Sequence, residues 1–415
     1  MKKETKTVPD IRFKGFTDPW EQRKLGDIVK RVTRKNVDGE SQLPLTISAQ
    51  YGLVDQREYF DKQVASKNLS NYYLLYKGEF AYNKSTSNES PWGAVKQLLN
   101  YQKGCVSTLY ICFSVVNADS GFLVTYYETS CWHKGVRAIA AEGARNHGLL
   151  NISADDFFNT TLLLPALITE QSKLGTLFKT LDNLITLHQR KCEQLQKLKK
   201  YFLQNMFPAD GETVPAIRFH GFTGDWEQRK LNKVYSIISN AFVGTATPYY
   251  VEKGHFYLES NNVKDGQINR DAEVFINDDF YKQQKNKWLR TGDVVMVQSG
   301  HVGQAAVIPK ELDKVAAHAL IMFKEPYANI DPYFFNYQLQ TIKSKEKIYK
   351  ITIGNTIAHI LASDMQKFII ELPEYGEQRQ IANYFIKIDN LITLQQHKCD
   401  QLQTLKKYML QNLFI

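Results

Sequence analysis

Two long stretches of the chain carry apolar residues at alternating spacings of three and four, with no proline inside them. After the Leu-Pro pairs at 164–165 and 372–373 only Gly175 interrupts the pattern beyond the opening Gly376, which predicts one helix over 169–207 and a second over 376–415. Written in heptads, the first places Leu174, Leu181, His188, Leu195 and Phe202 at a, and Leu177, Leu184, Lys191, Leu198 and Asn205 at d. The second places Ile381, Ile388, Gln395, Leu402 and Met409 at a, and Tyr384, Leu391, Lys398, Leu405 and Asn412 at d. The apolar members of these columns are the expected helix–helix interface. Phe178, Ile185, Cys192 and their counterparts Phe385, Ile392, Cys399 widen each stripe beyond a two-helix seam, so each helix requires a partner. About 36 residues at roughly 1.5 Å each give a rod of roughly 50 Å, and the obvious partner of one rod is the other.

The same two stretches are copies of each other. Residues 170–207 align with 377–414 without a gap, with 23 identities in 38 positions, including D-N-L-I-T-L at 182–187 and 389–394. A second repeat opens each half: I-R-F-K-G-F-T-D-P-W-E-Q-R-K-L at 11–25 returns as I-R-F-H-G-F-T-G-D-W-E-Q-R-K-L at 217–231. Between these ends, residues 26–163 and 232–371 diverge while keeping nearly equal length. The chain is built twice, with a shared scaffold and unlike inserts. The expected organisation is a first domain over 1–168, a central helix over 169–207, a linker over 208–225, a second domain over 226–375 and a closing helix over 376–415.

The two inserts share a faint skeleton. Residues 76–84, 93–96 and 106–113 match 290–298, 303–308 and 317–323 as an acidic turn, a β-branched or aromatic strand, a polar glycine-containing loop and another strand. Helices are expected from Tyr126-Tyr127 and over 333–339, and a last strand runs to each Leu-Pro. The fold class is α+β: two pseudo-repeated α/β domains separated by two long antiparallel helices that form a coiled coil.

Polar loops on such a skeleton are where binding residues sit. In the first insert these supply Asn83, Lys84, Ser85, Asn88, Arg145, Asn146 and His147. In the second they supply Asn261, Lys264, Lys285, Lys287, Gln298, Ser299, His301, Asn355, Thr356 and His359. Arg and Lys match guanine edges, Asn and Gln match adenine, and Lys and Ser reach phosphates, so these residue types suit DNA reading. The same types also fill ordinary turns.

Charge points the same way. Lys plus Arg number 52 against 43 Asp plus Glu, a net charge of +9, which favours a polyanionic partner. No run of about 18 apolar residues and no signal-like N-terminus occurs, so a cytoplasmic protein is expected. Cys105, Cys112, Cys131, Cys192 and Cys399 include no C-x-x-C pair and read as buried thiols.

Enzyme signatures do not emerge. There is no phosphate loop, dinucleotide fingerprint, nucleophile elbow or zinc-protease motif. Asp331-Pro332-Tyr333-Phe334 approaches a base-gripping methylation motif but lacks a second proline, and reads better as a capped helix start. No acidic-x-Lys strand follows Pro9-Asp10 to make a nuclease site, and His133, His147, His301, His318 and His359 lack metal-ligand spacing. The alternatives left are a diverged methyltransferase or nuclease with its own active site, and a coiled-coil scaffold protein.

The paired W-E-Q-R-K-L segments at 20–25 and 226–231, each followed by a variable insert, L-P, E-Q and a D-N-L-I-T-L helix, resemble the specificity subunits of Type I restriction-modification enzymes, particularly those of Gram-positive cocci. The resemblance covers essentially the whole chain. It implies two target-recognition domains that read the halves of a bipartite, asymmetric DNA site, and no catalytic residue or metal in this chain. It also implies two methyltransferase subunits and motor-nuclease subunits as partners. S-adenosylmethionine, ATP and magnesium would be held by those partners and not by this chain.

Overall fold

Each W-E-Q-R-K-L segment becomes a short strand whose Trp and Leu are buried at either end while the polar residues between them lie exposed or half-buried. In the computed structural model, which describes residues 7–48, 51–60, 65–66, 68–88, 90–140, 148–327, 329–354 and 358–415, Glu21–Lys24 pairs antiparallel with Thr161–Leu164. Glu227–Lys230 pairs in the same register with Ile369–Leu372. Each variable insert is thus closed by a strand of scaffold at its start and a strand of its own at its end.

The chain divides into two compact units, Met1–His188 with His397–Ile415, and Gln189–Gln396. The first holds an antiparallel sheet in the order Val29–Val32, Ile111–Val115, Phe80–Asn83, Ala94–Gln97. The second repeats that order with Tyr235–Asn240, Leu320–Pro326, Val294–Val297, Ala305–Val307. The divergent sequences therefore share one skeleton, strand for strand. Helices then follow in matching places: Ser120–Tyr126, His133–Ile139 and Ala154–Phe158 in the first unit, and Pro332–Gln340, Ile342–Ile351 and Ala362–Lys367 in the second. Asp331 caps its helix by accepting from the amides of Tyr333 and Phe334, so D-P-Y-F is a helix start.

The long helices run Ile168–Asn205 and Tyr375–Asn412. In the first unit the start of one meets the end of the other, with Phe178 5.8 Å from Phe414 and Lys406 2.5 Å from Asp182. In the second unit Phe202 lies 5.1 Å from Tyr384 and Lys199 2.7 Å from Asp389. Rising numbers on one helix oppose falling numbers on the other in both places, so the pairing is antiparallel.

The buried column of each helix is displaced from the expected a/d pairing. Leu174, Phe178, Leu181, Ile185, Cys192 and Met206 are buried, with Leu195 and Phe202 partly so. The second helix buries Ile381, Phe385, Ile388, Cys399 and Leu413, with Ile392, Leu402 and Met409 partly covered. Position a pairs with e, not d. Leu177 and Tyr384 are half-buried, whereas Leu184, Leu198, Leu391 and Leu405 are exposed. Leucine stands in both columns, so spacing alone leaves the phase open, and the bulk of Phe178 and Phe385 places e inside.

The units are finished by aromatic packing at the helix ends. Phe414 meets Trp20 edge-on at 6.0 Å and stacks on Phe122 at 5.6 Å. Phe207 likewise meets Trp226 edge-on at 5.8 Å and lies tilted against Phe334 at 5.4 Å. The Ile11 amide bonds the Asn412 carbonyl as Ile217 bonds Asn205. Gly175 sits where the second helix has Ala382, because a Cβ there would lie 2.6 Å from the Gly121 carbonyl carbon. The first unit's short helix packs too close for a side chain.

Candidate nucleic-acid interface

The second strand of each insert hairpin ends in a polar loop, and in both units that loop is bridged to the segment before the last short helix. In the first unit Ser85 bridges Leu149, the Leu150 amide donates to the Lys84 carbonyl at 3.0 Å, and the Thr86 amide donates to the Gly148 carbonyl at 2.7 Å. In the second, Ser299 bridges His359, the Ile360 amide donates to the Gln298 carbonyl at 2.9 Å, and the Gly300 amide donates to the Ala358 carbonyl at 3.1 Å. The two frames correspond bond for bond, although Ser299 and His359 share no local sequence link.

This frame gathers part of the expected binding set. Asn83 turns the chain by accepting from the Ser85 amide at 3.0 Å, and Ser85 and Asn88 are exposed. Lys84 is half-buried and its Nζ donates to the Ile152 carbonyl at 3.1 Å; burial lowers its pKa. Its ammonium therefore braces the loop. In the second unit His301 is exposed at the loop tip, and Ser299 Oγ lies 2.6 Å from His359 Nδ1. Gln298 is buried, and its Oε1 accepts no hydrogen bond among the described residues. Arg145, Asn146, His147, Asn355 and Thr356 lie outside the described residues.

Four expected residues sit elsewhere. Asn261 is exposed on a 3-10 turn, and Lys264 on the adjoining hairpin Val263–Lys264 with Gln267–Ile268, which packs beside Ala305–Val307. Lys285 and Lys287 lie on another turn, next to the stack of Tyr281 on Trp288 at 4.3 Å. Lys287 Nζ donates to the Ala241 carbonyl at 3.1 Å. Thr86, whose hydroxyl also donates to Gly148 at 3.0 Å, belongs to the frame and carried no signal beyond its place in a Ser/Thr/Asn run.

Behind each frame the insert is tied to the helices by repeated residues. Lys406 reaches both Asp182 at 2.5 Å and Glu128 at 2.7 Å. Burial alone would lower the Lys406 pKa, but these two carboxylates raise it. In the second unit Lys199 pairs with Asp389, which also accepts from the Tyr337 hydroxyl at 2.8 Å. Each pair lines a cleft between insert and helices, of about 820 Å³ with Ile185 and Thr186 in the first unit, and about 480 Å³ with Ile392 and Thr393 in the second. Asp182 and Asp389 open the two copies of D-N-L-I-T-L, so this repeated block anchors each insert to the scaffold.

A repeated scaffold, a shared β frame and unlike loops match a known pattern. Residues 223–404 match the Type I restriction modification DNA specificity domain. That stretch takes in the second insert and most of the closing helix. Over nearly its whole length the chain is similar to the specificity subunit of the Type I restriction enzyme MjaVIII from Methanocaldococcus jannaschii, at 23% identity, covering 94% of this chain and 91% of the relative. The fold is that of the Type I restriction-modification S subunit from M. genitalium, with a TM-score of 0.62, 13% identity and coverage of 98% and 99%. It also matches a chain from a study of complex assembly and conformational transition of the type I R-M system, with a TM-score of 0.52, 18% identity and coverage of 96% and 98%. The sequence relative is archaeal and lends no support to a closer tie with Gram-positive cocci.

Proposed function

We propose that the chain is the DNA-reading specificity subunit of a Type I restriction-modification complex, and that it contributes recognition while partner subunits carry out the chemistry. The observation that carries this reading is the bond-for-bond match of the two loop frames beneath loops of unlike sequence. One frame with two different sets of side chains is what reading two unlike half-sites requires. A helix of 38 residues is about 57 Å long, more than one and a half duplex turns of about 34 Å.

The partners follow from the same duplication. The displaced seam leaves Leu184, Leu187, Leu405 and Tyr408 exposed in the first unit, and their repeat counterparts Leu391, Leu394, Leu198 and Tyr201 exposed in the second. Two identical apolar sets, one per unit, suit two copies of a single methyltransferase subunit. Motor-nuclease subunits join that assembly for cleavage. S-adenosylmethionine, ATP and magnesium belong to those partners. No described helix is long and apolar enough to cross a membrane, and the complex works in the cytoplasm on the cell's own DNA.

Selection from randomised DNA by the full chain with its methyltransferase tests the reading. The expected result is a bipartite motif with two unlike halves and a fixed gap. A single contiguous palindrome, or no motif, contradicts it.

A further inference from the structure

In both units the helix that precedes the bridging segment in the chain carries cations with no carboxylate partner among the described residues. In the second unit this is Ile342–Ile351, with Lys343, Lys345, Lys347 and Lys350 and one acid, Glu346. Lys343 and Lys347 are spent internally, at 3.0 and 3.3 Å from the buried Glu371 carboxylate. Lys345 and Lys350 are exposed, and so is Tyr349 between them. In the first unit the helix is His133–Ile139, where Val136 is buried and Lys134 and Arg137 are exposed. Among the described residues none of these four cations lies within ion-pair distance of a carboxylate.

The two helices share almost no sequence, yet each precedes in the chain the segment that bridges the polar loop, at Ser85–Leu149 and at Ser299–His359. Unlike sequences that keep two unpaired cations at one place in the fold point to a ligand that is the same for both units. Base edges differ between half-sites, but the phosphate backbone does not.

We infer that Lys345 and Lys350 in the second unit, and Lys134 and Arg137 in the first, contact DNA phosphates and fix the register of each recognition domain. This rests on the chain reading DNA. Lys345 and Lys350 reach backbone oxygens while the adjoining loop meets base edges. Lys343 and Lys347 hold the helix to the strand that carries Glu371.

The test compares the full chain with Lys345→Gln/Lys350→Gln, Lys134→Gln/Arg137→Gln and Lys347→Gln, each with its methyltransferase, on cognate and scrambled duplexes across a salt series. Each double variant is expected to make the slope of log affinity against log salt shallower by about 1.8, at about 0.9 per phosphate contact, and to weaken binding equally on both duplexes. The motif selected from random DNA stays unchanged. Lys347→Gln, which removes a cation held on the Glu371 carboxylate, leaves the slope where it was. An unchanged slope in the double variants overturns the inference, and so does an equal change in Lys347→Gln, which assigns the effect to net charge. Failure of the underlying reading is seen separately, as absence of any selected motif for the unaltered chain.

Discussion

Arg218→Met is expected to destabilise the second unit by about 3–5 kcal/mol, the usual cost of removing one partner from a buried ion pair. Glu377 is fully buried and receives both Nε and Nη2 of Arg218 at 2.7 Å, while Nη1 donates to the Gly224 carbonyl. Truncating the arginine strands a carboxylate with no water to replace the lost donors. Arg12→Met does the same to the first unit, where Glu170 accepts at 2.7 and 2.8 Å. The double variant Arg218→Met/Glu377→Met recovers most of the loss, since no charge is left uncompensated. Urea unfolding followed by tryptophan fluorescence reads the change, because Trp226 is buried in the second unit against Phe334. A loss below about 1 kcal/mol would place the pair among weak surface bridges.

The second large effect falls on assembly. With glutamate at both Leu184 and Leu187, the complex is expected to hold one methyltransferase subunit per chain instead of two. Adding Leu391→Glu and Leu394→Glu leaves none. All four leucines are at least 38% exposed, so the helices themselves keep their seam, and the charges act only where a partner must dehydrate them. Native mass spectrometry counts the copies. Two copies retained on the fourfold variant would place docking elsewhere.

How much of this was legible in sequence depended on whether the signal was local. The duplicated ends stand out by identity alone, and proline-free heptads give the long helices. The insert skeleton was also readable, because strands such as Val294–Val297 sit between turn residues. The seam's phase was not readable, since leucines occupy a and d while Phe178, Ile185 and Cys192 occupy e; only three-dimensional packing decides which column is covered. The loop frame was half visible. Asn83, Ser85, Gln298 and His301 lie in recognisable polar runs, but the pairing of Ser299 with His359 joins residues 60 positions apart. Lysines misled in both directions. Lys84 and Lys287 spend their ammonium groups on backbone carbonyls, while Lys345 and Lys350 look in sequence like an ordinary solvated helix face.

The duplicated architecture has a mechanical logic. Identical ties, Arg12 to Glu170 and Arg218 to Glu377, Lys406 to Asp182 and Lys199 to Asp389, hold the scaffold together in the same way in each unit, and the insert joins it through Glu128 on Lys406 in the first and Tyr337 on Asp389 in the second. An insert can then change its loops without disturbing its mount.

The most direct measurement exchanges residues 26–163 for the corresponding insert of another specificity subunit and maps modified bases in the host genome. One half of the modified motif is expected to change while the other half and the gap between them stay as they were. If both halves change together, or neither does, the two inserts are not independent readers carried on a common strut.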